Sequence, residues 1–432
     1  MPGLNETPIG SRLHIAIFGR RNAGKSSLIN ALTNQQAAIV SEVAGTTTDP
    51  VIKAMEILPL GPVVIIDTAG IDDSGVLGEK RVRRTLQVLD RAEMALLVLD
   101  REHPPDGYEE DLVRRIRERE IPLLAVANKS DLGLPEGPLR AWADEEKLPY
   151  AAVSALTREG IDHLKQLMIQ HAPTDKVEPP LVGDLVRPGD LAVLVIPIDK
   201  AAPKGRLILP QVMTLRDLLD HDAYGLVVKE RELRVALAGL GQRPRLVVTD
   251  SQALLKAAAD TPRDIPFTSF SILFARYKGD LEYAVRSTAA IGRLRPGDRV
   301  LIAEACTHHR QPDDIGNVQI PRWLRQLVGG ELRFSWASGQ DFPVDTGAFD
   351  LVVHCGGCMV NRQEMLSRVR RAREAGVPMT NYGVLLAYVH GVLERALGPF
   401  PWAQAALEET QAAEQAETKE EVSCYPEHAP TE

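Results

Sequence analysis

No run in the 432 residues approaches the roughly 18 consecutive apolar positions of a membrane-crossing helix, so a membrane-spanning class is not expected. Residues 1–10 also lack the basic start and apolar core of a signal peptide, which sets the expectation of a cytoplasmic protein. Cysteine is scarce: four in a chain of this size are too few for a disulfide scaffold, so the thiols are left for other chemistry. An excess of positive charge is missing as well. The formal net charge of −9 argues against broad nucleic-acid binding through phosphate neutralisation. No internal repeat or recognisable RNA-binding module is present. The 44% hydrophobic and 25% charged content is ordinary globular usage, and the length exceeds what one hydrophobic core supports, so two or three domains are expected.

Short apolar runs at 13–18, 63–66, 95–99 and 123–126 alternate with polar, helix-compatible stretches at 79–90 and 109–120. Buried parallel strands covered by helices give this pattern, which predicts a doubly wound α/β domain with a mostly parallel sheet over 1–172. The Pro-rich, charged segment 171–180 reads as a linker. A second, small α/β unit is expected over 181–263, with apolar runs at 191–197 and 245–249 and a helical stretch at 214–220. A third α/β unit is expected over 264–412, where "DRVLIAEAC" and "FDLVVHCGGC" each run an apolar strand into a turn rich in potential metal ligands. Residues 413–432 read as an acidic, disordered tail.

"GRRNAGKSS" at 19–27 follows a strand and precedes the helix-compatible "LINALT", the setting that a G-x-x-x-x-G-K-[ST] phosphate loop requires. Gly19 and Gly24 let backbone N–H groups converge on the phosphates, and Asn22, Ala23 and Ser27 are expected in the same nucleotide site. Lys25 neutralises the β and γ charges, and Ser26 offers a hydroxyl to Mg²⁺. "DTAG" at 67–70 places Asp67 near the magnesium ion and the Gly70 N–H near the γ-phosphate. "NKSD" supplies Asn128, Lys129 and Asp131. An Asp accepting from the N1–H and exocyclic amine of guanine rejects adenine, whose edge has no matching donors. "SAL" adds Ser154 and Ala155, with backbone donors for the guanine carbonyl. The order resembles the translation-factor-related GTPases, so GTP and GDP are the expected ligands. By that resemblance Thr47 in "GTTTD" is the magnesium-binding switch threonine, with Thr48 as the alternative. The residues expected to carry hydrolysis are Lys25, Thr47, Asp67 and Gly70. Ile71 stands where Ras-like proteins have a water-orienting glutamine, so slow intrinsic hydrolysis is expected. Asn22 resembles the asparagine by which potassium-dependent GTPases hold K⁺ against the transition state. The competing reading is an asparagine that satisfies its own loop.

"CTHHRQ" at 306–311 and "HCGGC" at 354–358 group Cys306, Cys355 and Cys358 with His308, His309 and His354. Glycines within Cys-x-x-Cys let two thiolates point at one centre. From the residues alone a redox pair, a Cys₃His zinc site and a 4Fe-4S cluster with one weakly held iron all remain open. His309 reads as a core residue and Cys424 as an unliganded thiol of the tail.

A single GTPase domain followed by C-x-H and H-C-x-x-C resembles, over essentially the whole chain, the HydF family of maturation GTPases for FeFe-hydrogenases. The resemblance implies a GTPase domain, a central dimerisation domain and a cluster-binding domain. It implies that Cys306, Cys355 and Cys358 ligate a 4Fe-4S cluster, with His308 or His354 as the fourth ligand, or else another side chain or the incoming precursor. It implies a di-iron precursor as cargo, radical-SAM maturases as its source, apo-hydrogenase as its recipient, and a homodimer or higher homo-oligomer. Membrane and nucleic acid are not expected partners. The alternative from another class is a tRNA-modification or ribosome-assembly GTPase with a zinc-stapled C-terminal domain.

Overall fold

The computed structural model describes residues 7–33, 41–43, 51–68, 85–133, 137–173, 179–197, 207–305, 314–339, 341–343 and 345–423. The chain divides into two compact units, Met1–Val177 and Glu178–Glu432.

The first unit is built on β1 (Leu13–Gly19), β2 (Ser41–Val43), β3 (Val51–Ile57), β4 (Gly61–Asp67), β5 (Met94–Leu99), β6 (Leu123–Ala127) and β7 (Tyr150–Ala152). They form one seven-stranded sheet in the order β2-β3-β4-β1-β5-β6-β7. β1, β4, β5, β6 and β7 run parallel, and the β2-β3-β4 edge is antiparallel. Every residue of β5 and β6 is buried, which is why these strands read as continuous apolar runs: helices cover both faces of a parallel sheet, so no position turns to water. Lys25–Thr33 and Ile161–His171 cover one face, packing Leu28, Leu32, Leu164 and Met168 against Ile15, Ile17 and Val126. Gly107–Arg117 and Gly137–Glu145 cover the other. Gly107–Arg117 starts at a capping box: Asp106 accepts from the Tyr108 N–H, and Glu109 reaches back to the Asp106 N–H.

The second unit holds two four-stranded parallel sheets. One contains β8 (Leu191–Val195), β9 (Tyr224–Val228), β10 (Leu246–Thr249) and β11 (Phe267–Ser269), ordered β11-β10-β8-β9. The other contains β12 (Arg299–Glu304), β13 (Arg333–Ser338), β14 (Leu351–His354) and β15 (Met379–Asn381), ordered β13-β12-β14-β15. A single apolar core reaches from Val193 and Val248 through Phe270, Ile272 and Phe274 to Ile302 and Val353, so the two sheets are packed as one body. The helix Phe270–Lys278 forms the shared wall. Among the described residues β9 is an edge strand paired with β8 alone, and Tyr224 and Val227 on it are 60% and 41% exposed.

Two sequence expectations are corrected here. The boundary expected at residue 263 would cut β11 from its own sheet, because Val247, Val248 and Thr249 pair with Phe267, Thr268 and Ser269. The tail expected to be disordered from residue 413 continues as helix Pro401–Ser423. Its first half is anchored by buried Ala403, Ala406 and Leu407 and by the Arg286–Glu409 ion pair at 2.8 Å. Once nucleated on that packed half, the Ala-, Glu- and Gln-rich continuation extends at little cost. Among the described residues no helix is long and apolar enough to cross a membrane.

Candidate functional site

The carboxyl ends of β1, β4, β6 and β7 meet along one edge of the first sheet, where open parallel sheets collect ligands. The loop leaving β1 carries Gly19, Asn22 and Gly24 at positive φ of 143°, 63° and 89°. A Cβ on Gly19 would lie 2.2 Å from the Val98 carbonyl oxygen, so close passage over β5 demands glycine there. Lys25 is 5% exposed, and its ammonium donates to the carbonyls of Gly19 at 2.5 Å and Arg20 at 2.8 Å. It is therefore held across the mouth of its own loop. The Ser26 hydroxyl donates to Asp67 Oδ2 at 3.0 Å, which joins the two magnesium candidates. Arg20 clamps the loop to helix Gly107–Arg117 through a two-pronged contact with Glu109 at 2.8 and 3.0 Å and an ion pair with Asp106. Hydrogen bonding to Glu109 and then Asp106 raises the Arg20 pKa further above its already high value. Sequence reasoning missed this clamp.

Asn128, 2% exposed, donates to the carbonyls of Ala23 at 3.1 Å and Gly24 at 3.3 Å. Its Oδ1 accepts from the Ala155 N–H at 3.1 Å, so that donor, expected for the guanine carbonyl, is engaged within the protein. Lys129 takes the left-handed conformation at φ 62°, and the fully buried Ser154 donates its hydroxyl to Asp131 Oδ1 at 2.6 Å. Phosphate loop, "NKSD" and "SAL" are thus one hydrogen-bonded assembly. Thr47, Thr48, Gly70 and Ile71 lie outside the described residues.

In the third sheet, β12 and β14 are neighbours, with Ala303 opposite His354, and both end at one edge. Cys355 follows β14, its Sγ accepting from the Ala305 N–H at 3.1 Å. Cys355 and Cys358 are both half-buried. Gly357 between them has φ 68°, which opens the turn that brings the second cysteine round. A sulfur that accepts an N–H in a half-buried turn suits a thiolate ligand and hence a soft metal centre. Cys306, His308, His309 and Cys424 lie outside the described residues.

His354 departs from its expected ligand role. It is fully buried, its Nδ1 donates to the Cys355 carbonyl at 2.7 Å, and its Nε2 lies 2.9 Å from Arg368 Nη1. A guanidinium only donates, so Nε2 accepts and the ring is the neutral Nδ1–H tautomer, leaving neither nitrogen for a metal in this arrangement. Burial first, and then the Arg368 charge, push its pKa down to about 3. Behind the same turn, the ammonium of Lys278, 1% exposed, donates to the carbonyls of Val360 at 2.5 Å and Cys358 at 3.3 Å. Tyr382 adds a hydroxyl that donates to Glu304 Oε1 at 3.2 Å, and burial raises its pKa well above the usual value.

Comparison with known proteins fits this layout. The family model described as hydrogen maturase F dimerization domain matches residues 181–279, and the hydrogen maturase F tetramerization domain matches 282–399. A third, described as 50S ribosome-binding GTPase, matches 14–129. The chain is 36% identical over 159 residues to the tRNA modification GTPase MnmE of Chromobacterium violaceum, covering 37% of this chain and 34% of that protein. It is 40% identical over 170 residues to MnmE of Legionella pneumophila, covering 38% and 36%. It thus spans about a third of the length of these relatives. Among solved structures, the G domain of the T. maritima FeoB iron transporter matches at 25% identity and TM-score 0.29 over 37% of this chain and 98% of that one. Aquifex aeolicus Era matches at 21% identity and TM-score 0.31 over 57% and 97%. Residues 14–129 belong to a P-loop GTPase domain.

Proposed function

The chain belongs to the hydrogen maturase F family, and from that premise we propose that it is a GTP-hydrolysing scaffold that holds a 4Fe-4S cluster and passes a di-iron precursor to apo FeFe-hydrogenase. One observation carries the cluster half of this reading. Ala305, whose N–H meets Cys355 Sγ at 3.1 Å, is the residue that covalently precedes Cys306. On this reading Cys306, next in sequence after Ala305, joins Cys355 and Cys358 of the turn after β14 as a cluster ligand. Three thiolates leave one iron of a 4Fe-4S cluster open to exchange, which is the chemistry a carrier needs to hold cargo and release it. With His354 engaged by Arg368, the remaining ligand falls to His308, another side chain or the cargo.

On the nucleotide side, Lys25 exchanges the Gly19 and Arg20 carbonyls for the β and γ phosphates. Ser26 and Asp67, joined by the 3.0 Å hydrogen bond, would hold Mg²⁺, and the resemblance assigns Thr47 to the same ion and the Gly70 N–H to the γ-phosphate. Asp131, braced by Ser154, reads guanine. Asn22, in the phosphate loop at a left-handed φ of 63°, is the residue that would take a potassium ion if this chain resembles the potassium-dependent GTPases there. GTP acts on cargo only by favouring one arrangement of the domains over another. The dimerization and tetramerization domains make the protein a homo-oligomer, and the exposed apolar edge of β9 supports pairing between copies. The expected setting is the cytoplasm, with radical-SAM maturases supplying the precursor.

The test is transfer: chain loaded with cluster and precursor, mixed anaerobically with apo-hydrogenase, yields hydrogen evolution, and chain lacking either group yields none. The 36–40% identity to MnmE GTPases over 159–170 residues supports a second reading, a tRNA-directed GTPase. RNA that co-purifies and is lost in high salt, with no activation of hydrogenase, would favour it.

A further inference from the structure

Both cysteines of the "HCGGC" turn have their backbone carbonyls tied, directly or through one histidine, to a buried cation. Lys278, at the end of helix Phe270–Lys278, reaches the carbonyls of Cys358 and Val360. Arg368, 3% exposed on helix Arg362–Glu374, reaches the Cys355 carbonyl through His354. Arg368 is itself fixed: Nη2 donates to the Gly339 carbonyl at 2.7 Å and to Glu364 Oε1 at 2.5 Å, and the guanidinium lies 5.2 Å from the centre of the Phe342 ring. Burying a long cation in a core is costly unless each donor is used. Here one Lys278 bond ends on the Cys358 carbonyl and another on Val360 just beyond the turn, and one Arg368 bond ends on the histidine beneath it.

We propose that Arg368, through His354, and Lys278 are positioning residues that brace the Cys355–Cys358 turn from below, so that His354 serves the site as a relay to the Cys355 carbonyl and not as an iron ligand. The physical case is one of rotamers. A Cys side chain is aimed by its own backbone, and each carbonyl held by a buried donor removes a degree of freedom from the thiolate above it. The Nδ1–H tautomer that Arg368 enforces is the one able to donate to Cys355. A protonated or flipped ring would lose one bond or the other. The proposal rests on the reading that these thiols hold a metal centre, but the bracing itself can be measured without metal.

The test uses the full chain with Arg368→Met, His354→Asn, Lys278→Met and the double variant Arg368→Met/His354→Asn. In metal-free, reduced protein, alkylation by iodoacetamide followed by peptide mass spectrometry reads how Cys355 and Cys358 are held. Arg368→Met and His354→Asn are expected to change the rate at Cys355, Lys278→Met the rate at Cys358, and the double variant is expected to match its more affected parent, since both act through one carbonyl. After anaerobic loading with iron and sulfide, each single variant is expected to release iron to a chelator about 10- to 100-fold faster than the parent, the usual cost of losing a partner behind a metal ligand. Pulsed EPR of the reduced parent labelled with ¹⁵N-histidine should show no coupling that His354→Asn removes. Such a coupling, or strictly additive effects of Arg368→Met and His354→Asn, would overturn the relay. If Arg368→Met unfolds the domain, Arg368→Lys carries the test: it keeps the charge but loses the fork, and parent-like alkylation and iron retention would refute the proposal. Uptake of zinc with no cluster would refute the cluster reading alone, while the alkylation pattern still decides the bracing.

Discussion

Ser154, with no exposed surface, donates its hydroxyl to Asp131 Oδ1 at 2.6 Å, so the carboxylate proposed to read the base is aimed by a residue on a different strand end. Asp131→Asn should replace an acceptor with a donor facing the guanine amine and cut the preference for GTP over ATP. Ser154→Ala should weaken GTP binding by about 1 kcal/mol, roughly fivefold, by freeing the carboxylate. Competition between labelled GTP and unlabelled ATP measures both, and an unchanged preference in Asp131→Asn would refute the base assignment.

Lys25→Ala removes the ammonium held at the mouth of the phosphate loop. Hydrolysis should fall at least about 100-fold, while iron and sulfide uptake by the C-terminal unit persists. Phosphate release and metal content on the same sample decide this, and loss of both would show that the two sites are not independent.

Gly19→Ala should disrupt the nucleotide edge, because its Cβ would meet the Val98 carbonyl oxygen at 2.2 Å and backbone cannot yield as a side chain does. A cost of about 1–3 kcal/mol at a φ of 143° is expected in the melting of the first unit, with weaker GTP binding. A melting curve and GTP affinity equal to the parent's would contradict this account of the loop.

Val227→Lys on β9 places a charge on an exposed apolar edge and should shift the oligomer toward smaller species without lowering the melting temperature by more than a few degrees. Sedimentation velocity across a dilution series reads the shift, and unchanged mass would remove β9 from the interface.

Much of the fold was legible because buried parallel strands leave continuous apolar runs: β1, β5, β6, β12 and β14 are each visible as such. β11 was not, since a three-residue strand has no period to read, and the boundary expected at 263 missed it for that reason. β13 was not, because its mixed sequence "RFSWAS" fits a half-exposed edge as well as a loop. The helix beyond residue 412 was hidden by its acidity, although Ala and Glu favour helix as well as solubility. At the sites, spacing revealed the phosphate loop and the cysteine turn but concealed the residues that hold them. Arg368 lies in "RVRRARE", a run that reads as a solvated basic face, and only its place between Met365 and Val369, which are buried in the same core, hints that it points inward. The Arg20–Glu109 clamp joins residues 89 apart in sequence, a separation no local pattern reports.

The most direct measurement is EPR of anaerobically reconstituted, dithionite-reduced chain, with iron and sulfide analysis, for the parent and for Cys306→Ser, Cys355→Ser and Cys358→Ser. The account predicts a 4Fe-4S signal with about four irons and four sulfides per chain in the parent, and its loss in each of the three variants. Stoichiometric zinc with no such signal, or a cluster that survives Cys306→Ser unchanged, would contradict it.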